Sequence, residues 1–439
     1  MNQQSLETLV AQALEQAKQQ GASQAEAAAN QDNGLSVTVR LNEVETLEYQ
    51  RDRGLGITVY FGQRKGSAST ADFSAAAIAQ AVEKACSIAR YTAEDDCAGL
   101  ADAGLMAQTL PDLALDHPWP LTPEEAIDIA RRCEATARAY DPRIDNSEGA
   151  TVTSHRGVRV YGNSHGFIGG YPASGHSISC SVVARQDQQM QRDYWYSADC
   201  DPAALLAPEA IGEIAGQRTV ARLGSRRIST RKTPVLFAPE MAKSLLGHFL
   251  SAISGRAQYR ESTFLLGAEG DTIFPDFIQI KEQPHLKRAA GSAPFDAEGV
   301  ATQMRHWVQD GRLQGYILGS YSARKLGRQT TGNAGGVHNL ELQIGPSSQQ
   351  ALLAQMDTGL LVTELMGQGV NGVTGDYSRG AAGFWVENGE LAYPVEEITI
   401  AGNLRDIYRN IVAVGNDLDT RGNIRTGSIL LEEMTVAGE

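Results

Sequence analysis

The chain has 439 residues, 42% of them hydrophobic, and its 38 Lys and Arg against 52 Asp and Glu give a formal net charge of −14. This length allows two or three domains with cores of their own, and the acidic charge makes direct nucleic-acid or anionic-membrane binding unfavourable. The first 20 residues lack the basic and apolar segments of a signal peptide, and no apolar run approaches the roughly 18 residues of a membrane helix. The five cysteines are far apart and form no C-x-x-C motif. We therefore expect a cytoplasmic protein without a membrane anchor.

Residues 1–95 predict an N-terminal α+β piece. Apolar residues recur first at helical spacing, then alternate, then recur at helical spacing again. The predicted elements are a helix, two strands that form a hairpin, and a second helix, at 5–29, 35–50, 54–66 and 72–92. Asp72 is the predicted N-cap of the second helix.

A connector and a second α+β piece follow. Residues 96–121 are polar, small and proline-bearing, which is typical of a connector. In the piece at 122–228, Thr122 and Glu125 match a capping box, which predicts the start of a helix. The predicted elements are a helix, several strands and a helix, at 122–140, 145–197 and 202–223.

A basic run marks the predicted domain boundary near 225–233. Its members are Arg218, Arg222, Arg226, Arg227, Arg231 and Lys232. Such a run indicates either a nucleic-acid footprint or, in an acidic chain, a solvated linker. We favour the linker.

Residues 234–439 predict a β-rich C-terminal domain. Strand-like runs dominate: "DTIFPDFIQI", "GVHNLELQIG", "GFWVEN", "EEITIAG" and "GSILLEEMTVAG". After Pro234 the chain predicts a strand and then a helix at 239–253, and further helices are predicted at 350–356 and 402–410. Because strands and helices do not alternate regularly, the fold class is α+β and not a doubly wound sheet.

Two short motifs fail their context tests. Residues 367–372 fit G-x-G-x-x-G, but further glycines and a strand-like run follow them, where a dinucleotide site needs a helix. Residues 162–166 fit G-x-S-x-G around Ser164, but a glycine-rich strand follows there, which predicts a hairpin turn and not a nucleophile elbow.

The remaining candidate site is a run of four residues between glycines: Asp376, Tyr377, Ser378 and Arg379. These residues offer donors, an aromatic face and both charges close to accessible backbone, which suits strand addition by an extended peptide. The run suits an internal β-turn equally well. His338 is a further groove candidate. The histidines form no metal-ligand spacing, and His248, on a predicted helix, has no ligand partner one turn away.

Longer motifs carry a resemblance to a known family. "YRESTFLLG", "PFDAEGV", "SYSARKLG", "TGNAGGVHN", "VTELMGQGVNGVTGDYSRGAAGFWVENGE", "EITIAGNL" and "NIVAVGNDL" occur in this order and resemble the TldD/PmbA family through the whole C-terminal half. The resemblance implies a fold with an N-terminal α+β region in two pieces and a β-rich C-terminal domain. It also implies a heteromeric zinc peptidase with two related subunits.

The resemblance also implies where zinc binds in the family. The TldD subunit carries H-E-x-x-x-H on a helix and a cysteine near its C-terminus, which hold zinc while the glutamate acts as base. The resemblance places Leu246 at the first histidine of this motif, Gly247 at the glutamate and Ser251 at the second histidine. The last cysteine is Cys200, so the C-terminal ligand is missing too. We expect no catalytic residue and no metal here, with zinc in the partner subunit.

Three functions follow as hypotheses. The first is a non-catalytic subunit that pairs with a TldD-like chain and helps to process unfolded peptides such as a microcin leader or an antitoxin. It includes homodimerisation of the isolated chain. The second is a binding protein that modulates DNA gyrase without enzymatic activity. The third is an independent hydrolase that uses Ser164 or a histidine site that the sequence does not reveal.

Overall fold

Six strands form the N-terminal sheet, and alternate residues of its long strands bury small or branched apolar side chains. The computed structural model describes residues 2–438. At odd-numbered positions of the first strand, three alanines lie in one core with the first two helices, and a leucine and two valines lie in a second core with the next two helices. The elements are α1 (Gln3–Gln19), β1 (Gln24–Arg40), β2 (Glu43–Phe61), β3 (Arg64–Thr70), α2 (Ala75–Tyr91), α3 (Pro123–Ala139), β4 (Ile144–Asn163), β5 (Ile168–Gln186), β6 (Gln189–Asp199) and α4 (Pro208–Ala221).

The two N-terminal pieces build one sheet. Its strand order is β3-β2-β1-β4-β5-β6, and β1 pairs antiparallel with both β2 and β4. Between the pieces, residues 93–121 hold only the 3-10 turn Ala103–Leu105 and a bridge from Met106 to Val300. Thr122 and Glu125 form the predicted capping box at the start of α3.

Three N-terminal details of the sequence-based prediction are wrong. The first helix ends at Gln19, before Gly21, whose φ is +87°, and residues 24–29 belong to β1. The β1–β2 hairpin turns at residues 41–42, so 43–61 is one strand. Ser74 caps α2, and Asp72 accepts a hydrogen bond from the Ser74 backbone N–H.

The C-terminal domain is built around two sheets. Its elements are β7 (Arg231–Phe237), α5 (Pro239–Ala252), α6 (Gly255–Tyr259), β8 (Ile280–Glu282), β9 (Arg305–Gln309), β10 (Arg312–Leu313), α7 (Ser320–Lys325), β11 (Leu340–Leu342), α8 (Gln349–Met356), β12 (Gly359–Met366), β13 (Asp376–Glu387), β14 (Glu390–Asn403), α9 (Leu404–Arg409), β15 (Ile411–Val414), β16 (Ile424–Arg425) and β17 (Ile429–Ala437). The α+β class is confirmed, as are the helices predicted at 239–253, 350–356 and 402–410.

The larger C-terminal sheet has the order β14-β13-β12-β7-β17-β15, and an additional β14–β17 pairing joins strands from distant parts of it. The smaller sheet has the order β10-β9-β8-β11-β16. Of the run 271–280, predicted as a strand, only Ile280 is in one. Helix α5 packs into the main core through Leu245, Leu246 and Phe249. No helix within residues 2–438 is long and apolar enough to cross a bilayer.

Candidate functional site

Helix α5 places the three residues that we expect at the zinc-motif positions in different surroundings. Leu246 is 1% exposed in the core, Gly247 has open space where a Cβ would lie, and the exposed Ser251 hydroxyl donates to the Gly247 carbonyl at 3.0 Å. Residues five apart lie about 140° apart around a helix, so Leu246 and Ser251 do not share a face.

The side chains present do not fit zinc. A leucine, a glycine and a serine hydroxyl supply no imidazole, carboxylate or thiolate. In the described part of the chain, no three His, Cys, Asp or Glu residues are grouped so that they could hold a metal ion.

A polar cluster lies beside this helix. Tyr377 and Arg379 alternate along β13 and therefore share a face of the sheet, and the His248 ring of α5 meets the Tyr377 ring edge-on with centroids 6.0 Å apart. Three atoms of this cluster are among the buried atoms that have no hydrogen-bond partner of good geometry within residues 2–438: His248 Nε2, Tyr377 Oη and Arg379 Nε. We call this group the His248 cluster.

The electrostatics of the His248 cluster favour an uncharged ring pair beside one cation. Burial lowers the pKa of His248, and the positive charge of Arg379 lowers it further. Burial raises the pKa of Tyr377 to about 12, and Arg379 partly offsets this. An unsatisfied buried polar atom costs roughly 1–3 kcal/mol. Three together indicate that water, a ligand or another chain satisfies them.

The other two residues of the predicted groove face away from the His248 cluster. The carboxylate of Asp376 accepts hydrogen bonds from Thr374 Oγ1 at 2.6 Å and Asn403 Nδ2 at 3.2 Å. The Ser378 backbone N–H donates to the Gly369 carbonyl at 2.7 Å. Both residues therefore hold the glycine-rich loop against the sheet.

The fifth candidate, His338, lies in a different environment. Its Nδ1 is 3.2 Å from the Gly291 carbonyl, and its backbone N–H donates to Glu282 Oε1 at 2.6 Å. Burial lowers the pKa of this imidazole, the hydrogen bond to the Gly291 carbonyl partly offsets this, and the positive charge of Arg159 lowers the pKa further. Within residues 2–438, no hydrogen bond, ion pair or ring contact joins His338 to the His248 cluster.

The two short motifs lie in hairpin connections. Residues 367–372 join β12 to β13, and a strand follows them. A Cβ on Gly369 would lie 1.9 Å from the Ser378 carbonyl oxygen, which explains that glycine by close backbone approach. Ser164 lies in the β4–β5 turn, and its hydroxyl accepts a hydrogen bond from the Ala25 backbone N–H at 3.0 Å.

The largest feature that the sequence did not predict is a cleft between the N-terminal sheet and the C-terminal domain. Two adjoining cavities of about 230 and 520 Å³ share five lining residues: Trp195, Tyr196, Arg218, Glu240 and Thr363. The Trp195 ring has Arg218 at 4.9 Å and Arg421 at 4.4 Å from its centroid. These residues come from distant segments of the chain. Of them, the sequence analysis singled out only Arg218, as a member of the basic run.

One wall of this interdomain cleft is the edge of a strand. β12 pairs with β7 only through Leu360, Leu361 and Val362, whereas its pairing with β13 continues to Met366. Among the described residues, 363–366 therefore have no strand partner on the β7 side. Leu365 pairs with Ala381, two residues from Arg379, so β12 and β13 connect the cleft to the His248 cluster.

The basic run divides into two parts: Arg218 and Arg222 are half-buried in ion pairs, whereas the members from Arg226 to Lys232 are exposed. Arg222 contacts Asp193 at 3.7 Å and also forms an ion pair with Glu364. Other members pair with acids or lie over aromatic rings: Arg218 with Asp193 and Glu240, Arg226 over Tyr393, Arg227 with Glu397, Arg231 over Trp385, and Lys232 with Glu433. The prediction of a solvated run is therefore wrong for Arg218 and Arg222, and the other four side chains are exposed as predicted.

Sequence comparison finds relatives along nearly the whole chain. Three family profiles match: PmbA/TldA metallopeptidase domain 1 at 25–89, the central domain at 116–223 and the C-terminal domain at 230–438. Metalloprotease PmbA of Escherichia coli O157:H7 is 52% identical over 436 residues, which cover 99% of this chain and 96% of that protein. A metalloprotease TldD homolog of Haemophilus influenzae is 22% identical, with 84% and 80% covered.

Solved structures share the fold. A crystal structure described as a putative modulator of DNA gyrase from Bacteroides thetaiotaomicron superposes with a TM-score of 0.94 at 28% identity and covers 98% of both chains. TldE from Thermococcus kodakarensis superposes with a TM-score of 0.83 at 21% identity, covering 99% of this chain and 100% of that one.

Proposed function

The chain belongs to the TldD/PmbA metallopeptidase family, and we propose that it is a non-catalytic subunit of a heteromeric zinc peptidase. One observation carries the proposal: helix α5, where we expect the family's zinc motif, has Leu246, Gly247 and Ser251 in place of its histidine, glutamate and second histidine. None of these side chains can ligate zinc or take a proton from water at neutral pH. Zinc and the catalytic base then come from a TldD-like partner.

The substrate class we propose is an unfolded peptide, of the microcin-leader or antitoxin kind. The unpaired side of β12 at 363–366 supports this, because an extended peptide can add to such an edge through its backbone. The aromatic and cationic wall of Trp195, Arg218 and Arg421 adds contacts that do not depend on peptide sequence.

The His248 cluster would receive one end of that peptide. Its unpartnered polar atoms include a cation, Arg379, for which no ion pair with a carboxylate is seen in the described residues. Carbonyl or carboxylate oxygens are the acceptors that such donors bind. A peptide that leaves the β12 edge toward β13 would bring these oxygens there.

Peptide cleavage by the co-purified complex tests this assignment. Tyr377→Phe and Arg379→Met should each lower kcat/KM about tenfold, the effect of one lost hydrogen bond to substrate, while the zinc content of the complex stays constant. Ser378→Ala and Asp376→Asn, on the opposite face, are the matched controls. If Tyr377→Phe and Arg379→Met both cleaved peptide at the wild-type rate, the proposal that the His248 cluster binds peptide would be wrong.

A further inference from the structure

A cavity of about 380 Å³ lies where β1, the connector at 93–121 and the C-terminal domain meet. This volume is within the range of small-molecule sites, about 300–1,000 Å³. Glu26 of β1 and Glu298, in the loop from β8 to β9, both line it. Its apolar wall comes from the connector: Ala93, Ala98, Leu100 and Ala101. We call this cavity the Glu26 pocket. Among the described residues, it shares no lining residue with the interdomain cleft.

Two buried tyrosines fix the Glu26 carboxylate in this pocket. Tyr60 Oη donates to Glu26 Oε1 at 3.1 Å, and Tyr161 Oη donates to Glu26 Oε2 at 2.9 Å. The tyrosines come from β2 and β4, the two strands that pair with β1. Each carboxylate oxygen can accept two hydrogen bonds. Both oxygens of Glu26 therefore keep room for a further donor.

The acids of the Glu26 pocket outnumber its cations. Three acids line it, and only Asp95 has an ion-pair partner within residues 2–438, Lys325 at 3.2 Å. The one cation among the described lining residues is Lys65, which is exposed. Burial raises the pKa of Glu26, its hydrogen bonds and Lys65 partly offset this, and the charge of Glu298 raises it further. A desolvated carboxylate without a counter-ion is costly, so the pocket favours a bound cation.

Glu298 is also incompletely bonded. Its Oε2 accepts a hydrogen bond from the Ser320 backbone N–H at 2.9 Å, and no hydrogen bond to its Oε1 is seen within residues 2–438. The Ser320 side chain is 4% exposed, and its Oγ has no hydrogen-bond partner in the same part of the chain. Buried polar atoms are nearly always hydrogen-bonded. An unpartnered hydroxyl beside an incompletely bonded carboxylate points to a ligand with several donors.

We propose that the Glu26 pocket binds a primary alkyl ammonium ion, whose nitrogen lies between Glu26 and Glu298 and whose alkyl chain contacts the apolar wall. An ammonium group has three N–H donors and no acceptor. Its charge strengthens the hydrogen bonds to both carboxylates, and one donor remains for Ser320 Oγ. The apolar wall removes the alkyl chain from water, which adds affinity. The site does not depend on the function proposed above.

Other ligand classes match this pocket less well. A hard metal ion needs about six oxygen ligands, and within residues 2–438 no three His, Cys, Asp or Glu residues are grouped so that they could hold a metal ion. The unpaired acids repel an anion. Two sources carry a primary ammonium group: a free alkylamine and the lysine side chain of a peptide.

Isothermal titration of the full-length chain with n-pentylamine tests the site, and pentanol is the uncharged control. Glu26→Gln and Glu298→Gln should each raise the Kd for pentylamine about tenfold, because each weakens a charge-assisted hydrogen bond. Ala98→Phe should abolish binding, because it fills the apolar wall while every charge stays in place. Glu94→Gln changes an exposed connector acid that does not line the pocket and should leave the Kd unchanged.

Three results would overturn the proposal: no heat of binding at up to about 50 mM pentylamine, equal binding of pentanol, or a Kd that neither Glu26→Gln nor Glu298→Gln changes. An acetylated tripeptide with a central lysine separates the two sources. If it displaces pentylamine, the ammonium ion is a peptide side chain; if pentylamine alone binds, it is a free alkylamine. The chain is titrated alone, so the result is independent of zinc, of a partner and of peptide cleavage.

Discussion

At the scale of single residues, the most informative buried acid is Glu134 of α3. It is 1% exposed, and its two carboxylate oxygens accept hydrogen bonds from the backbone N–H groups of Leu41 and Asn42 at 2.7 and 2.8 Å. These two residues form the β1–β2 turn with φ of 51° and 69°. One side chain thus stabilises a turn that contains no glycine or proline.

Glu134→Ala should lower the free energy of unfolding by about 2 kcal/mol, because two turn N–H groups lose their acceptor. Urea denaturation followed by circular dichroism measures the change. Glu83→Ala, on the exposed face of α2, is the control and should shift stability by less than about 0.5 kcal/mol. Equal midpoints for the two variants would show that the turn does not depend on the carboxylate.

His176 gives the protein a pH dependence. Its Nε2 lies 2.9 Å from the His117 carbonyl, so this nitrogen carries the proton, and Nδ1 accepts from the Ser154 hydroxyl at 2.9 Å. Burial lowers the pKa of His176. The unfolded chain therefore binds more protons at mildly acidic pH. The stability that this residue contributes is present above the ordinary His pKa of about 6.5 and is lost as the pH falls below it.

His176→Gln should therefore lose less stability than the wild type when the pH falls from about 7.5 to about 5.5. Urea midpoints at both pH values give the difference. His306→Gln, an exposed site on β9, should keep the wild-type pH dependence. If His176→Gln lost as much stability as the wild type, the burial of a neutral imidazole would not be a source of the acid sensitivity.

At the scale of elements, the seam between the domains rests on α4, β6 and β12. Arg222 at the C-cap of α4 contacts Asp193, which is 7% exposed, and Glu364. Removing one member of such a buried group leaves an uncompensated charge, whereas exposed pairs contribute little. The seam also orients the wall of the interdomain cleft.

Arg222→Met should therefore lower the free energy of unfolding by about 2 kcal/mol. Arg192→Met, which removes an exposed pair with Glu148 at 3.1 Å, should cost less than about 1 kcal/mol. Thermal unfolding of the two variants compares them directly. Similar losses would mean that Arg222 does not brace the domains.

The elements also show what the sequence could and could not predict. Hydrophobic periodicity and capping gave α3, both late helices and the α+β class, because these signals are local. The β1–β2 turn was misplaced because its conformation depends on Glu134, which is distant in sequence. Because side chains alternate along a strand, Tyr377 and Arg379 lie on one face of the sheet and Asp376 and Ser378 on the other. Predicting this difference would have required knowing that 376–387 is a strand and not a turn.

At the scale of the whole molecule, the two domains enclose a cleft that neither contains alone. Trp195 and Arg218 come from the N-terminal half, whereas Glu240, Thr363 and Arg421 come from the C-terminal half. No sequence motif spans these positions, so only the folded chain brings them together. The resemblance to the family predicted that this chain lacks the zinc ligands. The cleft and the ion pairs between the domains could be seen only in the three-dimensional structure.

The central claim is that this chain supplies binding surface and its partner supplies the metal. The most direct test is the zinc content and peptidase activity of the chain purified alone and co-purified with a TldD-like partner. We predict that the chain alone is metal-free and inactive, and that zinc and peptide cleavage appear together in the complex. About one zinc per isolated chain, with peptide cleavage that a chelator abolishes, would contradict the proposed division of labour.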